Sequence, residues 1–105
     1  MYKITAKRLL APSIYLMDVA APRVAKSANP GQFVIVKMDE KGERIPLTIC
    51  DYDKIAGTVT IVFQTVGAST QKMALLAEGD YFSDFVGPLG QPSEFIEEDI
   101  EALKQ

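Results

Sequence analysis

The 105 residues of this chain suffice for one domain, because a second, nucleotide-binding sheet would not fit in that length. The net charge is −3 and lysine and arginine are scattered, which argues against nucleic acid as a partner. With no histidine and a single cysteine, Cys50, the usual catalytic triads, an intrachain disulfide and a multi-cysteine metal site are excluded. No apolar stretch approaches the ~20 residues of a membrane span and the N-terminus lacks a signal peptide's apolar core, so we expect a cytoplasmic protein without a membrane partner.

Six segments have the composition of β-strands, because they are rich in β-branched and aromatic residues and are separated by turn signals. They are residues 2–10, 14–19, 33–38, 45–50, 58–66 and 81–86. Apolar residues then recur at helical spacing at Met73, Leu76 and Ala77, after Ser69 and Thr70 as candidate N-caps. The sequence therefore predicts an all-β fold, a six-stranded antiparallel Greek-key barrel with one short helix.

A C-terminal helical tail is predicted for residues 93–105, after a barrel domain of residues 1–92. Ile96, Ile100 and Leu103 fall on one side of a helical projection of this tail. Its acidic residues fit a solvated helix face rather than a catalytic carboxylate pair. Residues 23–28 are compatible with one further helical turn.

Residues 44–48, RIPLT, place an arginine, a proline and a threonine in an otherwise apolar run. Because Pro46 cannot donate to a sheet ladder, we expect this strand to lie at an edge or opening of the sheet. A planar heteroaromatic ring could lie there against Pro46 and Leu47, with Thr48 and backbone groups bonding its edge. The alternative interpretation is an edge strand whose proline only prevents aggregation.

Residues 66–70, VGAST, join a strand to a helix. The free N–H groups and the dipole of a helix start suit a phosphate, while Gly67 allows close approach and Ser69 and Thr70 add hydroxyl donors. An ordinary capped helix explains the same residues, and neither the G-x-G-x-x-G motif nor the P-loop is present. Residues 87–90, GPLG, are interpreted as a tight turn that leaves the barrel.

Taken in order, four segments resemble the FAD-binding domain of the ferredoxin–NADP reductase superfamily, over roughly residues 2–92. The segments are GQFVIVKM, RIPLTICDYD, TVTIVFQTVGAST and EGDYFSDFVGPLG. They are most similar to the small subunit of NADH-dependent ferredoxin:NADP oxidoreductase and of sulfide dehydrogenase, and to the electron-transfer subunit of dihydroorotate dehydrogenase. The resemblance implies FAD as the cofactor, with no catalytic residue and no metal ligand in this chain.

The resemblance also implies which residues bind the FAD. In chain order they are Arg44, Pro46, Leu47, Thr48, Val62, Phe63, Gln64, Gly67, Ser69 and Thr70. Pro46, Leu47 and Thr48 would line the isoalloxazine, with Thr48 near its reactive N5. Val62, Phe63 and Gln64 would face the flavin and its ribityl chain. Gly67, Ser69 and Thr70 would hold the pyrophosphate.

Arg44 departs from the superfamily pattern, since it lies one residue upstream of the expected arginine position, which Ile45 occupies. On a strand, a shift of one residue moves a side chain to the opposite face, although a β-bulge could re-aim it. Leu47 stands where many members of the superfamily have a tyrosine.

The superfamily continues into an NAD(P)-binding domain and a cysteine-rich segment for a [2Fe–2S] cluster, and this chain ends where the second domain would begin. The resemblance therefore implies an isolated domain of a protein that passes electrons between NAD(P)H and an iron–sulfur partner, in a ferredoxin, sulfide or dihydroorotate system with an iron–sulfur large subunit. We expect the domain alone to bind flavin without completing hydride transfer. The alternative is a cofactor-free barrel that serves for docking. An enzyme acting by itself is disfavoured because no nucleophile with a base is present.

Overall fold

The computed structural model describes residues 1–29 and 31–90, which contain seven strands and two short helices. In chain order they are β1 (Tyr2–Ala11), β2 (Ile14–Ala20), α1 (Pro22–Ser27), β3 (Phe33–Lys37), β4 (Ile45–Asp53), β5 (Thr58–Gln64), α2 (Ala68–Met73), β6 (Tyr81–Phe82) and β7 (Asp84–Leu89). Neither helix has the length or the apolar character needed to cross a bilayer.

The strands form one antiparallel sheet in the order β6-β1-β2-β5-β4-β3-β7. Strands β3, β4 and β5 are joined in succession, and β5 then lies beside β2, which is the Greek-key arrangement that the sequence predicts. The chain segment that contains β6 and β7 links the two edges, because β6 pairs with β1 and β7 pairs with β3. The sheet thereby curls into a nearly closed barrel.

Alternating residues of the strands fill the barrel, as the period of two along a strand requires. In β4, Ile45, Leu47 and Ile49 are buried, whereas Pro46 and Thr48 are exposed on the outer face. The largest side chains that are fully buried come from five of the strands and from α2. They are Phe82, Ile4, Met17, Ile61, Met73, Val19, Val34, Val36 and Val59.

Helix α1 begins with Pro22, whose missing N–H costs nothing in the first turn of a helix. It buries Val24 and Ala25 and packs against β4, β5 and β7. The Ala21 N–H ahead of it donates to the Gly57 carbonyl at 2.9 Å, in the β4–β5 turn. The helix therefore covers one end of the barrel and leaves the outer face of β4 open.

The prediction of six strands is wrong by one, because the segment of residues 81–86 is interrupted at Ser83. There the Ser83 N–H donates to the Lys37 carbonyl at 2.9 Å. Before this point β6 pairs with β1, and after it β7 pairs with β3. Strand β7 also continues to Leu89, where the sequence suggested a tight turn. Residues 23–28, which the sequence analysis describes as compatible with one helical turn, fall largely within a second helix, α1. The predicted tail, residues 93–105, lies outside the described residues.

Candidate functional site

An opening lies between β4 and β5. The β4–β5 ladder runs from the turn at Gly57 as far as the Ile49–Ile61 pair. Within residues 1–29 and 31–90, no residue of β4 before Ile49 pairs with β5. In that first half, residues 45–48 of β4 pair only with β3, while residues 62–64 of β5 pair only with β2. Two stretches of backbone that do not pair with each other thus border the opening, and the N–H and C=O groups that face it need another partner.

A β-bulge at Cys50 marks the point where the two strands separate. Ile49 is paired with Ile61 and Asp51 with Thr60, so Cys50 is the extra residue on β4. Bulges bend a strand and increase its local twist. The bend accounts for the loss of pairing along the first half of β4. The Cys50 side chain is exposed, with its Sγ 3.9 Å from the Thr48 carbonyl oxygen.

The outer face beside the opening carries four of the residues predicted for the site. Pro46 and Thr48 are exposed on β4, and Val62 and Gln64 point to the same side from β5, half-buried and exposed respectively. A hydroxyl and a carboxamide therefore lie among apolar surface and unpaired backbone. This combination suits a planar ligand with one polar edge.

Leu47 and Phe63 of the predicted set have their side chains on the inner face. Leu47 is 8% exposed and Phe63 is 5% exposed, and both belong to the barrel core. The Phe63 ring stacks on Tyr15 at 5.7 Å between centroids. Only the backbone of these two residues borders the opening. The structure thus divides residues 46–48 and 62–64 into outward side chains and inward ones.

The start of α2 lies next to the beginning of β4. The Ser69 hydroxyl hydrogen-bonds the Glu43 carboxylate, which immediately precedes Arg44. Arg44 is exposed, whereas Ile45, in the arginine position of the superfamily pattern, is buried and pairs with Val36. Alternation along the chain therefore gives Arg44 the same outward side as Pro46, rather than the inner face.

The first turn of α2 keeps donors available. Thr70 Oγ1 accepts hydrogen bonds from the Val66 and Gly67 N–H groups at 2.9 and 3.1 Å, which orders the junction. The N–H groups at the start of a helix have no intrahelical acceptor, and Gly67 has no side chain that could supply one. A Cβ at Gly67 would meet no atom within 4 Å, so the space above this residue is open.

The GPLG segment has a structural role. A Cβ at Gly87, whose φ is +158°, would lie 2.9 Å from Val34 Cγ1. Only glycine allows β7 to approach β3 this closely. Gly87 therefore serves the packing of the barrel, while Gly90 is where the described chain leaves it.

Comparison with known proteins identifies what kind of barrel this is. No family model matches the chain. An electron transfer subunit homolog of dihydroorotate dehydrogenase B from Thermotoga maritima is 44% identical over 92 residues, which is 88% of this chain and 33% of that protein. The corresponding electron transfer subunit of Desulforamulus reducens is 34% identical over 92 residues.

A solved structure with the same fold comes from work on an NADH-dependent reduced ferredoxin–NADP oxidoreductase that performs flavin-based electron bifurcation. The TM-score is 0.86 at 42% identity, over 89% of this chain and 34% of that one. Over most of its length this chain is homologous to the dihydroorotate dehydrogenase electron transfer subunits. The resemblance noted in the sequence is thereby confirmed.

This chain spans about one third of the length of the curated relatives it matches. An uncharacterized protein from Clostridium beijerinckii is 68% identical over all 105 residues, which are 36% of its length. A siderophore-interacting protein from Acinetobacter baumannii has the same barrel at a TM-score of 0.68, but at 14% identity it shows the fold alone.

Two residues of the site escaped the sequence analysis. Glu43 was passed over because its contact with Ser69 joins residues 26 positions apart. Phe33 was treated only as part of a strand, although it pairs with Thr48 and lies on the same outer face. The Phe33 pairing depends on the register between β3 and β4, and the Glu43 contact depends on how the loop before β4 meets α2; a single sequence reveals neither. No local signal in the sequence identifies them.

Proposed function

We propose that this domain binds FAD and serves as the flavin module of an electron-transfer oxidoreductase. The observation that carries the proposal is the opening between β4 and β5, in a barrel of the electron transfer subunit family. Unpaired backbone on both sides of the opening can bond the polar edge of an isoalloxazine. Pro46 and Val62 offer apolar surface to its rings, and the exposed Thr48 hydroxyl would face the reactive part of the flavin.

The pyrophosphate of FAD fits the start of α2. The carboxylate of Glu43 beside Ser69 supports this assignment, because an anionic group already occupies the neighbourhood of these donors. A phosphate that takes the place of this carboxylate would receive hydrogen bonds from the Ser69 hydroxyl and from N–H groups of the first turn. Arg44 would add a positive charge, and the open space above Gly67 would admit the phosphate.

The chain's own residues would bind and orient the cofactor, which itself carries the redox chemistry. When bound, FAD supplies the chemistry that couples a two-electron donor such as NAD(P)H to one-electron acceptors. The proposal assigns the NAD(P)-binding domain, a [2Fe–2S] cluster and an iron–sulfur large subunit to the longer protein. The relatives named for NADH-dependent ferredoxin–NADP and dihydroorotate systems support this assignment.

A ligand series tests the proposal. The purified protein is freed of bound flavin and titrated with FAD, FMN and riboflavin, while flavin fluorescence and the melting temperature are followed. We expect FAD to bind most tightly, because only FAD carries the pyrophosphate. At one hundred times its Kd it would stabilise the fold by about 2.7 kcal/mol, which raises the melting temperature by several degrees.

Absence of any fluorescence change or thermal shift with excess FAD, in a protein that melts cooperatively, would contradict the proposal. That outcome would favour the alternative of a cofactor-free docking barrel. Equal affinity for FAD and riboflavin would retain the ring site between β4 and β5 but remove the pyrophosphate from α2.

A further inference from the structure

Phe33 is an aromatic residue on the outside of the barrel, directly beside Thr48. It is the first residue of β3 and pairs with Thr48 on one side and with Leu89 of β7 on the other. The next residue, Val34, is fully buried, so the alternation of the strand turns Phe33 outward. Its side chain is half-buried and takes no part in the core cluster.

The position of the Phe33 ring is fixed by Gly90. A Cβ at Gly90 would lie only 3.0 Å from Phe33 Cε1 and 3.1 Å from Phe33 Cδ1. The φ of Gly90 is +78°, a value that residues with a side chain rarely adopt. The ring therefore rests against the backbone of the point where the described chain leaves the barrel, and it has little room to change rotamer on that side.

Gln32 holds Gly90 in place beneath the ring. Its side-chain Nε2 donates to the Gly90 carbonyl at 2.9 Å, and its Oε1 accepts from the Asn29 N–H at 2.9 Å. Its own carbonyl accepts from the Ile49 N–H at 2.8 Å, at the place where β4 and β5 separate. Gln32 is the buried polar residue of the described chain. Gln32 therefore connects Gly90, which lies against the Phe33 ring, with Ile49 at the end of the opening.

We propose that Phe33 forms an aromatic wall of the flavin site beside Thr48, and that the Gln32–Gly90 contact holds its ring there. This inference rests on the proposed function, because it needs the isoalloxazine to lie on the outer face at Thr48. Cross-strand partners have Cβ atoms about 5 Å apart, so a ring that contacts Thr48 is within reach of the Phe33 side chain.

The physical reason is the preference of planar aromatic rings for edge-to-face or offset contacts, which contribute about 0.5–1.5 kcal/mol beyond burial. A ring that is already fixed loses little conformational freedom when the ligand arrives. Phe33 is thus a specificity residue for a planar heteroaromatic ligand, and Gln32 is a positioning residue that acts through it.

The test compares Phe33→Leu with Phe33→Tyr and with the control Tyr81→Leu. Tyr81 is an exposed aromatic residue on β6, a strand that pairs with β1 at the far edge of the sheet. FAD affinity and the absorbance and fluorescence spectra of the bound flavin are measured for each. We expect Phe33→Leu to weaken FAD binding about fivefold to tenfold and to change the flavin spectra. Phe33→Tyr and Tyr81→Leu should behave like the wild type.

The outcomes separate this inference from the proposed function. A wild-type protein that binds no FAD contradicts both. A wild type that binds FAD, with Phe33→Leu unchanged in affinity and spectra, overturns the role of Phe33 and leaves the site between β4 and β5 standing. Should Phe33→Leu fail to fold, Phe33→Trp replaces it. An indole at the wall must alter the fluorescence of bound flavin, and an unaltered spectrum overturns the inference.

Discussion

The two halves of β4 have different neighbours. Residues 45–48 pair with β3 alone, whereas the second half, from Ile49 to Asp53, pairs with β5. Every second side chain is buried from Ile45 to Ile49, and the bulge at Cys50 breaks this alternation. The difference lies in the backbone edge, which is unpaired toward β5 only in the first half. A single extra residue therefore accompanies the loss of the β5 neighbour along one stretch of a barrel strand.

The largest expected effect concerns what the two halves share, their inward side chains. Ile49, 3% exposed, lies in the paired half and Leu47, 8% exposed, lies in the open half. We expect Ile49→Ala and Leu47→Ala each to lower the free energy of unfolding by about 2–5 kcal/mol, because both leave a cavity in the core. Urea denaturation of the apoprotein measures this. A loss below 1 kcal/mol for Leu47→Ala would show that the open half contributes little to the core.

The next effect concerns the far end of the opening, at Gly67. We expect Gly67→Ala to leave the stability of the apoprotein nearly unchanged, because its φ of −164° is ordinary extended backbone and its Cβ meets no atom. FAD affinity should fall about tenfold, since the added methyl group occupies the space assigned to the pyrophosphate.

Gly79→Ala is the matched control for Gly67→Ala. Its Cβ would also meet nothing within 4 Å, but its φ is +97°. It should therefore lower the melting temperature through backbone strain and leave FAD affinity unchanged. The reverse result, with Gly67→Ala binding FAD as the wild type does, would remove the phosphate from this junction.

Two threonines at different places along β4 and its partner β5 differ in their expected contact with the cofactor. Thr48 is exposed beside the opening, whereas Thr58 is paired with Asp53 at the closed end of the β4–β5 ladder. Thr48→Val should weaken FAD binding about fivefold and shift the flavin reduction potential, because a hydrogen bond of about 1 kcal/mol is lost. Thr58→Val should change neither quantity. Equal effects of the two substitutions would show that the opening does not distinguish the halves.

Part of this site could be predicted from sequence because the chemistry of single residues determines it. Pro46 cannot donate to a ladder, and the strand that carries it does border an opening. The inward orientation of Leu47 and Phe63 was not foreseen, because the resemblance names contiguous residues while a strand sends neighbours to opposite faces. The register depends on the bulge at Cys50, and bulges leave no reliable mark in a single sequence.

The smallest expected effect concerns Arg44, the residue that is out of register with the superfamily pattern. The structure places it just ahead of β4, exposed, next to the Glu43 whose carboxylate bonds Ser69. Its guanidinium is thus available on the α2 side of the opening, although the pattern position itself is filled by a buried isoleucine. We expect Arg44→Gln to weaken FAD binding about threefold, since an exposed charge pair contributes well under 1 kcal/mol.

The ligand and the salt concentration identify the origin of this effect. A charge interaction with the pyrophosphate predicts that Arg44→Gln weakens FAD binding but not riboflavin binding, and that the difference fades as salt is raised. Lys41→Gln, in the same loop and equally exposed, is the control and should leave both ligands unaffected. If Arg44→Gln weakened riboflavin binding as much as FAD binding, Arg44 would contact the isoalloxazine end of the cofactor and not the pyrophosphate.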